Sequence, residues 1–140
     1  MSTWHTKRIV RFSHCDPAGI VFYPRFFEIV HEAKEDWFRE AVGLPFRELI
    51  GERREGFPIV RLECDFHAPS RLGDELDVAV GVARIGEASL HLHYALGCAG
   101  EPRLDVRTVV VHTNLASGRP APLDADLRRR FEAFLIAAPR

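Results

Sequence analysis

Residues 24–42 read PRFFEIVHEAKEDWFREAV, and within them Phe26, Ile29, Val30, Ala33, Trp37 and Ala41 recur at steps of three and four. Phe27 and Phe38 broaden this apolar stripe, while Arg25, Glu28, Glu32, Glu35 and Arg39 occupy the opposite side. Pro24 suits a first helical position, where a missing N–H costs nothing, and Gly43 with Pro45 supplies a stop. At about 1.5 Å per residue the predicted helix is roughly 30 Å long, enough to cross a small domain. So wide an apolar arc on so long a helix suggests a sheet wrapped around it. Two polar residues disturb the pattern: Lys34 lies well inside the arc and reads as a snorkelling stem, and His31 lies at its edge.

The remaining sequence supplies that sheet. Residues His5 to Ser13 are rich in β-formers and predict a first strand ahead of the helix. FPIVRLECDFHA, from Phe57, alternates Val60, Leu62, Cys64 and Phe66 with Arg61, Glu63, Asp65 and His67. DELDVAVGVARI aligns Leu76, Val78, Val80 and Val82, ASLHLHYAL aligns Leu90, Leu92, Tyr94 and Leu96, and RLDVRTVVVHTNL is β-branched almost throughout. Short glycine-containing turns, RLGD, IGEA and CAGEPR, join these as an antiparallel meander. A second helix begins at Asp124, a good N-cap, and runs through Leu127, Phe131, Phe134 and Leu135. Strand, long helix, four strands and a closing helix make this an α+β fold, read as one domain over residues 1–140.

Composition narrows the function. Nineteen basic against 20 acidic residues give a net charge of -1, so no bulk field draws the chain to nucleic acid or an anionic membrane. Cys15, Cys64 and Cys98 are odd in number and form no CxxC pattern, which argues against a disulfide framework or a zinc ribbon. The opening MSTWHTKRIVRF has no apolar signal core, and no apolar run reaches bilayer length. A soluble cytoplasmic protein is expected.

The stretch HCDPAGIVFYP, residues 14–24, leads into the long helix and sets one carboxylate, Asp16, in an otherwise apolar approach. With the element order above, DPAGIVFYP resembles the hot-dog fold and specifically the 4-hydroxybenzoyl-CoA thioesterase family. FPIVRLECDFHAPSRLGDEL resembles that family's second strand and following turn, and VVVHTNLASGRPAPLDADLRRRF its last strand and exit. The resemblance implies an acyl-CoA thioesterase without cofactor or metal, whose protomers pair as a homodimer or homotetramer. A related acyl-CoA thioesterase group has histidine directly after the tyrosine, where this chain has Pro24, and the aromatic-acyl branch is the closer likeness. The hairpin where that branch carries adjacent basic residues for the nucleotide reads RIGEASL here.

The resemblance makes Asp16 the catalytic carboxylate, either nucleophile or general base. Read alone, it would equally serve as an Asx-turn or helix-capping residue. Thioester cleavage needs such a group on one side of the carbonyl and positive potential at its oxygen. Backbone N–H groups from Gly19 to Tyr23, at a helix start, supply that potential, and Gly19 admits a close approach. His31, two turns beyond Tyr23, faces either the acyl end of a pocket or solvent. Arg61, Arg71 and Arg84, with the loop GERREG, are candidates for the CoA phosphates or ordinary surface charges. His14 and Cys15 are sequence neighbours that point apart, without an orienting third group, so they do not read as a Cys–His pair. His91 and His93 share a strand face, a spacing that suits metal ligation but reads as polar sheet surface without a third ligand. An acyl-CoA binding module without catalysis is the alternative function.

Overall fold

The structure, a computed structural model, describes residues 3–136. In chain order its elements are β1 (Trp4–Ile9), α1 (Pro24–Trp37), β2 (Glu55–Gly56), β3 (Ile59–Phe66), β4 (Glu75–Ile85), β5 (Ser89–Cys98), β6 (Glu101–Val111), β7 (Thr113–Asn114), β8 (Arg119–Pro120) and α2 (Ala125–Glu132). The main sheet has five antiparallel strands in the order β1-β4-β5-β6-β3, and β2-β7-β8 form a small second sheet.

The sheet wraps α1, as the apolar stripe predicts. Val78, Val80 and Val82 of β4, Leu90, Leu92, Tyr94 and Leu96 of β5, and Leu104, Val106 and Val110 of β6 are all buried on its inner face. Against them α1 buries Phe26, Ile29, Val30, Ala33 and Trp37. Trp37 is fully enclosed, with ring centroids of Phe38, Phe131 and Phe134 at 5.4, 5.9 and 5.5 Å. Phe131 belongs to α2, so the closing helix seals the far end of this core. Asp124 caps α2 as predicted, its Oδ1 accepting the Leu127 N–H at 2.8 Å.

Three boundaries differ from the sequence reading. The first strand ends at Ile9 because residues Phe12–His14 turn tightly, with the Arg11 N–H donating to His14 Nδ1 at 2.9 Å. The long helix widens into a π-helical turn at Phe38–Val42 before Gly43, at φ 75°, ends it. The closing helix stops at Glu132, and the chain beyond it adds to β4 through bonds between Val82 and both Phe134 and Ile136.

Candidate active site

Asp16 lies on a small hairpin between β1 and α1. Cys15 pairs with Val21, the Phe22 N–H donates to the His14 carbonyl at 2.9 Å, and the Asp16 N–H donates to the Ile20 carbonyl at 3.0 Å. Gly19 closes the turn with its N–H on the Asp16 carbonyl at 3.0 Å, and it does so at φ +77°, where a side chain would be strained. A Cβ there would meet nothing within 4 Å, so the backbone stands open to an approaching group. Gly19 therefore shapes the turn, but its N–H is already engaged and is not the free donor the sequence reading expected.

The carboxylate itself is half-buried. Its Oδ1 accepts the Ala18 N–H at 2.9 Å, an Asx turn, while Oδ2 has no hydrogen-bond partner among the described residues. Asp16 does not cap α1, whose N-cap is Tyr23, seven positions later. The turn thus fixes the orientation of the carboxylate and leaves one oxygen for chemistry.

At the mouth of α1 the donors can be counted one by one. Val21 N–H goes to the Ser70 carbonyl and Phe22 N–H to His14, Pro24 has none, and Arg25 and Phe26 N–H go to the Phe22 and Tyr23 carbonyls. Between residues 21 and 26 only the Tyr23 N–H is without an acceptor among the described residues. It points from the positive end of a helix dipole. The Phe22 and Tyr23 side chains are largely exposed and meet edge to face at 5.6 Å, which makes the entrance aromatic.

A buttress absent from the sequence reading holds this hairpin. Residues 19–21 pair with the loop before β4, through Val21 N–H to Ser70 at 2.9 Å and Leu72 N–H to Gly19 at 3.0 Å. Arg103 of β6 fastens that loop, donating to the Pro69 carbonyl at 3.1 Å, Ser70 Oγ at 3.2 Å and Asp74 Oδ2 at 2.7 Å. Asp74 also accepts the Arg71 N–H at 2.9 Å, and these bonds, Arg71 first and Arg103 second, hold its carboxyl below the ordinary range. No local pattern marks Arg103, since its partners lie some thirty residues away.

The other predicted residues divide between two places. Arg71 joins the site, because its backbone bridges Ile20. Arg61 and Arg84 instead lie on the outer face of the sheet, Arg61 bonded to Glu63 at 2.8 Å and Arg84 opposite His91. Neither approaches the hairpin by any bond. On that same outer face His67 and His93 share the Asp105 carboxylate at 2.7 and 3.0 Å, so His93 has a polar partner other than a metal. Burial alone would raise the Asp105 carboxyl, but the two histidine hydrogen bonds outweigh it and hold the pKa below the usual value. His31 is exposed, its ring 6.4 Å from that of Phe46. Lys34 is 6% exposed as a whole residue, its stem buried in the arc and its ammonium retaining contact with solvent, as a snorkelling side chain does. Cys15 Sγ donates to the Arg11 carbonyl at 3.4 Å and is not paired with His14.

A partly shielded carboxylate with one free oxygen, beside a helix start with one free N–H, can attack or hydrate a polarised carbonyl. Comparisons with known proteins bear on the activity. The chain is 26% identical over 129 residues to the 1,4-dihydroxy-2-naphthoyl-CoA hydrolase of Synechococcus elongatus, covering 91% of this chain and 94% of that one. Its structure is similar to a gentisyl-coenzyme A thioesterase, with a TM-score of 0.81 and 28% identity over 92% of this chain and 99% of the other. It is similar also to the 1,4-dihydroxy-2-naphthoyl-CoA thioesterase of Synechocystis, with a TM-score of 0.83 and 25% identity over 93% and 96% of the two chains. A family model matches residues 10–131, a span holding both the Asp16 hairpin and the whole of α1, and by that match the chain belongs to the Thioesterase-like superfamily.

Proposed function

We propose that this protein is an acyl-CoA thioesterase in which Asp16 carries the reaction and the Tyr23 N–H receives the developing oxyanion. The observation behind this reading is the pairing of one unbonded carboxylate oxygen with one unbonded N–H across a hairpin only a few residues long. As nucleophile, Asp16 Oδ2 forms a bond to the thioester carbon, the C–S bond breaks, CoA leaves as thiolate, and water hydrolyses the resulting anhydride. As general base, Oδ2 takes a proton from the water that attacks directly. In either course negative charge gathers on the carbonyl oxygen, where the helix start is complementary to it. The Asx turn keeps the attacking group fixed without occupying both oxygens.

An aromatic acyl group of the 4-hydroxybenzoyl kind, or a short-chain one, is the substrate we favour. The activities for which the relatives are named, on naphthoyl-CoA and gentisyl-CoA thioesters, support the aromatic choice. We assign the protein to the cytoplasm as one hot-dog domain that works as a homodimer or homotetramer. Its support is β3, an edge strand exposing Ile59, Val60, Leu62 and Phe66. Arg71, next to the catalytic hairpin, is a better candidate for a CoA phosphate than Arg61 or Arg84.

Asp16→Asn tests the assignment. Asparagine keeps the Asx turn, so the fold and acyl-CoA binding persist while turnover falls at least about a thousandfold, more than 4 kcal/mol. Undiminished hydrolysis by the purified variant overturns it. A wild type that binds acyl-CoA and never releases thiol establishes the binding module instead. Single turnover in ¹⁸O water separates the two roles: direct labelling of the acid indicates a general base, and label left on Asp16 indicates the anhydride.

A further inference from the structure

Residues 14–22 carry the Asp16 hairpin, yet Val21 is the one buried residue among them. Among the described residues, the hydrogen bonds that join this segment to any part of the chain outside residues 11–25 go to Ser70 and Leu72. They run from the Val21 N–H to the Ser70 carbonyl and from the Leu72 N–H to the Gly19 carbonyl, one on each side of Ile20. The Ile20 carbonyl in turn accepts the Asp16 N–H, and Tyr23 stands two residues beyond Val21. The carboxylate and the free N–H therefore both take their place from one loop, residues 67–74.

Arg103 fastens that loop to the sheet from two directions. Its carbonyl accepts the His67 and Ala68 N–H groups at 2.8 and 3.2 Å. Its Nη1 donates to the Pro69 carbonyl, Ser70 Oγ and Asp74 Oδ2, with Glu101 Oε1 at 2.7 Å from Nε. The side chain is only 12% exposed, and charge-assisted bonds so shielded from water are stronger than neutral ones. Val10 holds only the far end of the loop, through bonds with Gly73 and Asp74. At Ser70, the residue that carries Val21, Arg103 is the one side chain bonded to the buried hydroxyl among the described residues.

We infer that Arg103 is a positioning residue for thioester hydrolysis: through Ser70 and Asp74 it holds the loop that sets where Asp16 and the Tyr23 N–H stand. It acts through these residues and touches no reacting atom. The inference rests on the thioesterase reading above and adds to it the group that keeps the geometry. An attacking oxygen and an oxyanion donor must meet one carbonyl at once, and a misplacement of about 1 Å costs roughly a hundredfold in rate. Replacing the side chain leaves the backbone bonds to His67 and Ala68 in place, so the loop stays attached and loses its grip on Ser70.

The test is Arg103→Gln, with thiol release from benzoyl-, 4-hydroxybenzoyl- and acetyl-CoA and backbone amide exchange read on the same protein. Expected is a kcat per folded molecule lower by at least about tenfold with KM within about twofold of the wild type. Exchange at Val21 and Leu72 should quicken at least about tenfold, while Val80 and Leu92 in the sheet keep their protection. Arg103→Lys, which retains a cation for the same acceptors, should recover at least about threefold of the lost kcat. An unmoved kcat, a loss carried by KM, a lysine variant no better than glutamine, or exchange that quickens throughout the sheet overturns the inference. So does failure of both variants to fold, because Arg103 is then a residue of the fold alone. If the wild type releases thiol from none of the three thioesters, the thioesterase reading fails, and exchange decides Arg103 by itself: quickening confined to Val21 and Leu72 upholds it as the residue that positions the hairpin, and quickening spread through the sheet does not.

Discussion

The two edges of the main sheet are finished in opposite ways. At the β1 edge, Lys7 is paired with Glu75 at 3.1 Å and Arg8 reaches across to Asp36 on α1, so charge covers the strand and ties it to the helix. At the β3 edge, Ile59, Val60, Leu62 and Phe66 are 48, 64, 40 and 51% exposed, while that strand's charged residues, Arg61, Glu63 and Asp65, alternate onto its outer face and are paired there. Charged side chains on an edge strand discourage pairing with another chain, and apolar ones invite it. One edge is completed by the chain's own residues. The other is left apolar on the side where a second copy is proposed to meet the chain.

The contrast can be broken most severely at β3. Leu62→Glu sets a carboxylate on the apolar edge, and the proposed assembly should weaken at least about a hundredfold, nearly 3 kcal/mol, with activity falling in parallel. Light scattering against concentration reads the first effect and thiol release the second. An active monomer of the wild type would leave β3 without the role given to it.

A smaller effect belongs to Asp74, which joins the β1 side to the Asp16 hairpin through Arg71 and Arg103. Its carboxyl titrates below the unfolded value, so it adds stability above about pH 3.9 that is lost as the pH falls through the folded pKa. Acid denaturation of the wild type should therefore be steeper below about pH 4 than that of Asp74→Asn, which lacks this titration. Superimposable acid profiles would mean that the buttress contributes nothing.

The least effect is expected at the closed edge. Arg8→Ala removes a partly exposed ion pair and should cost about 1 kcal/mol or less in a denaturant melt, with turnover unchanged. A large loss of activity there would erase the distinction between the edges.

The helix and strands were legible because period and burial coincide: Val78, Val80 and Val82 alternate inward as their spacing says. The Asx turn at Asp16 was legible because it is local, with every bond that shapes the hairpin closing within a few residues or onto one loop. Arg103 was not, since its partnership with Ser70 and Asp74 exists only once β6 lies beside that loop. Arg61 and Arg84 had the opposite fault, being chemically suited to phosphate but carried by strand alternation onto the outer face.

The strand order also sets a sequence of events in folding. β4, β5 and β6 are joined by short turns and can zip locally, whereas β1 must wait for β4, with Trp4 opposite Val80, and β3 for β6, with Ile59 opposite Val110. Closing such long loops is slow compared with forming a hairpin. The Asp16 hairpin hangs between β1 and α1 and leans on the loop before β4, so it acquires its shape only when β1 docks. A nascent chain thus makes its Asp16 segment early and completes it late, and until then the carboxylate has neither its turn nor a helix start beside it.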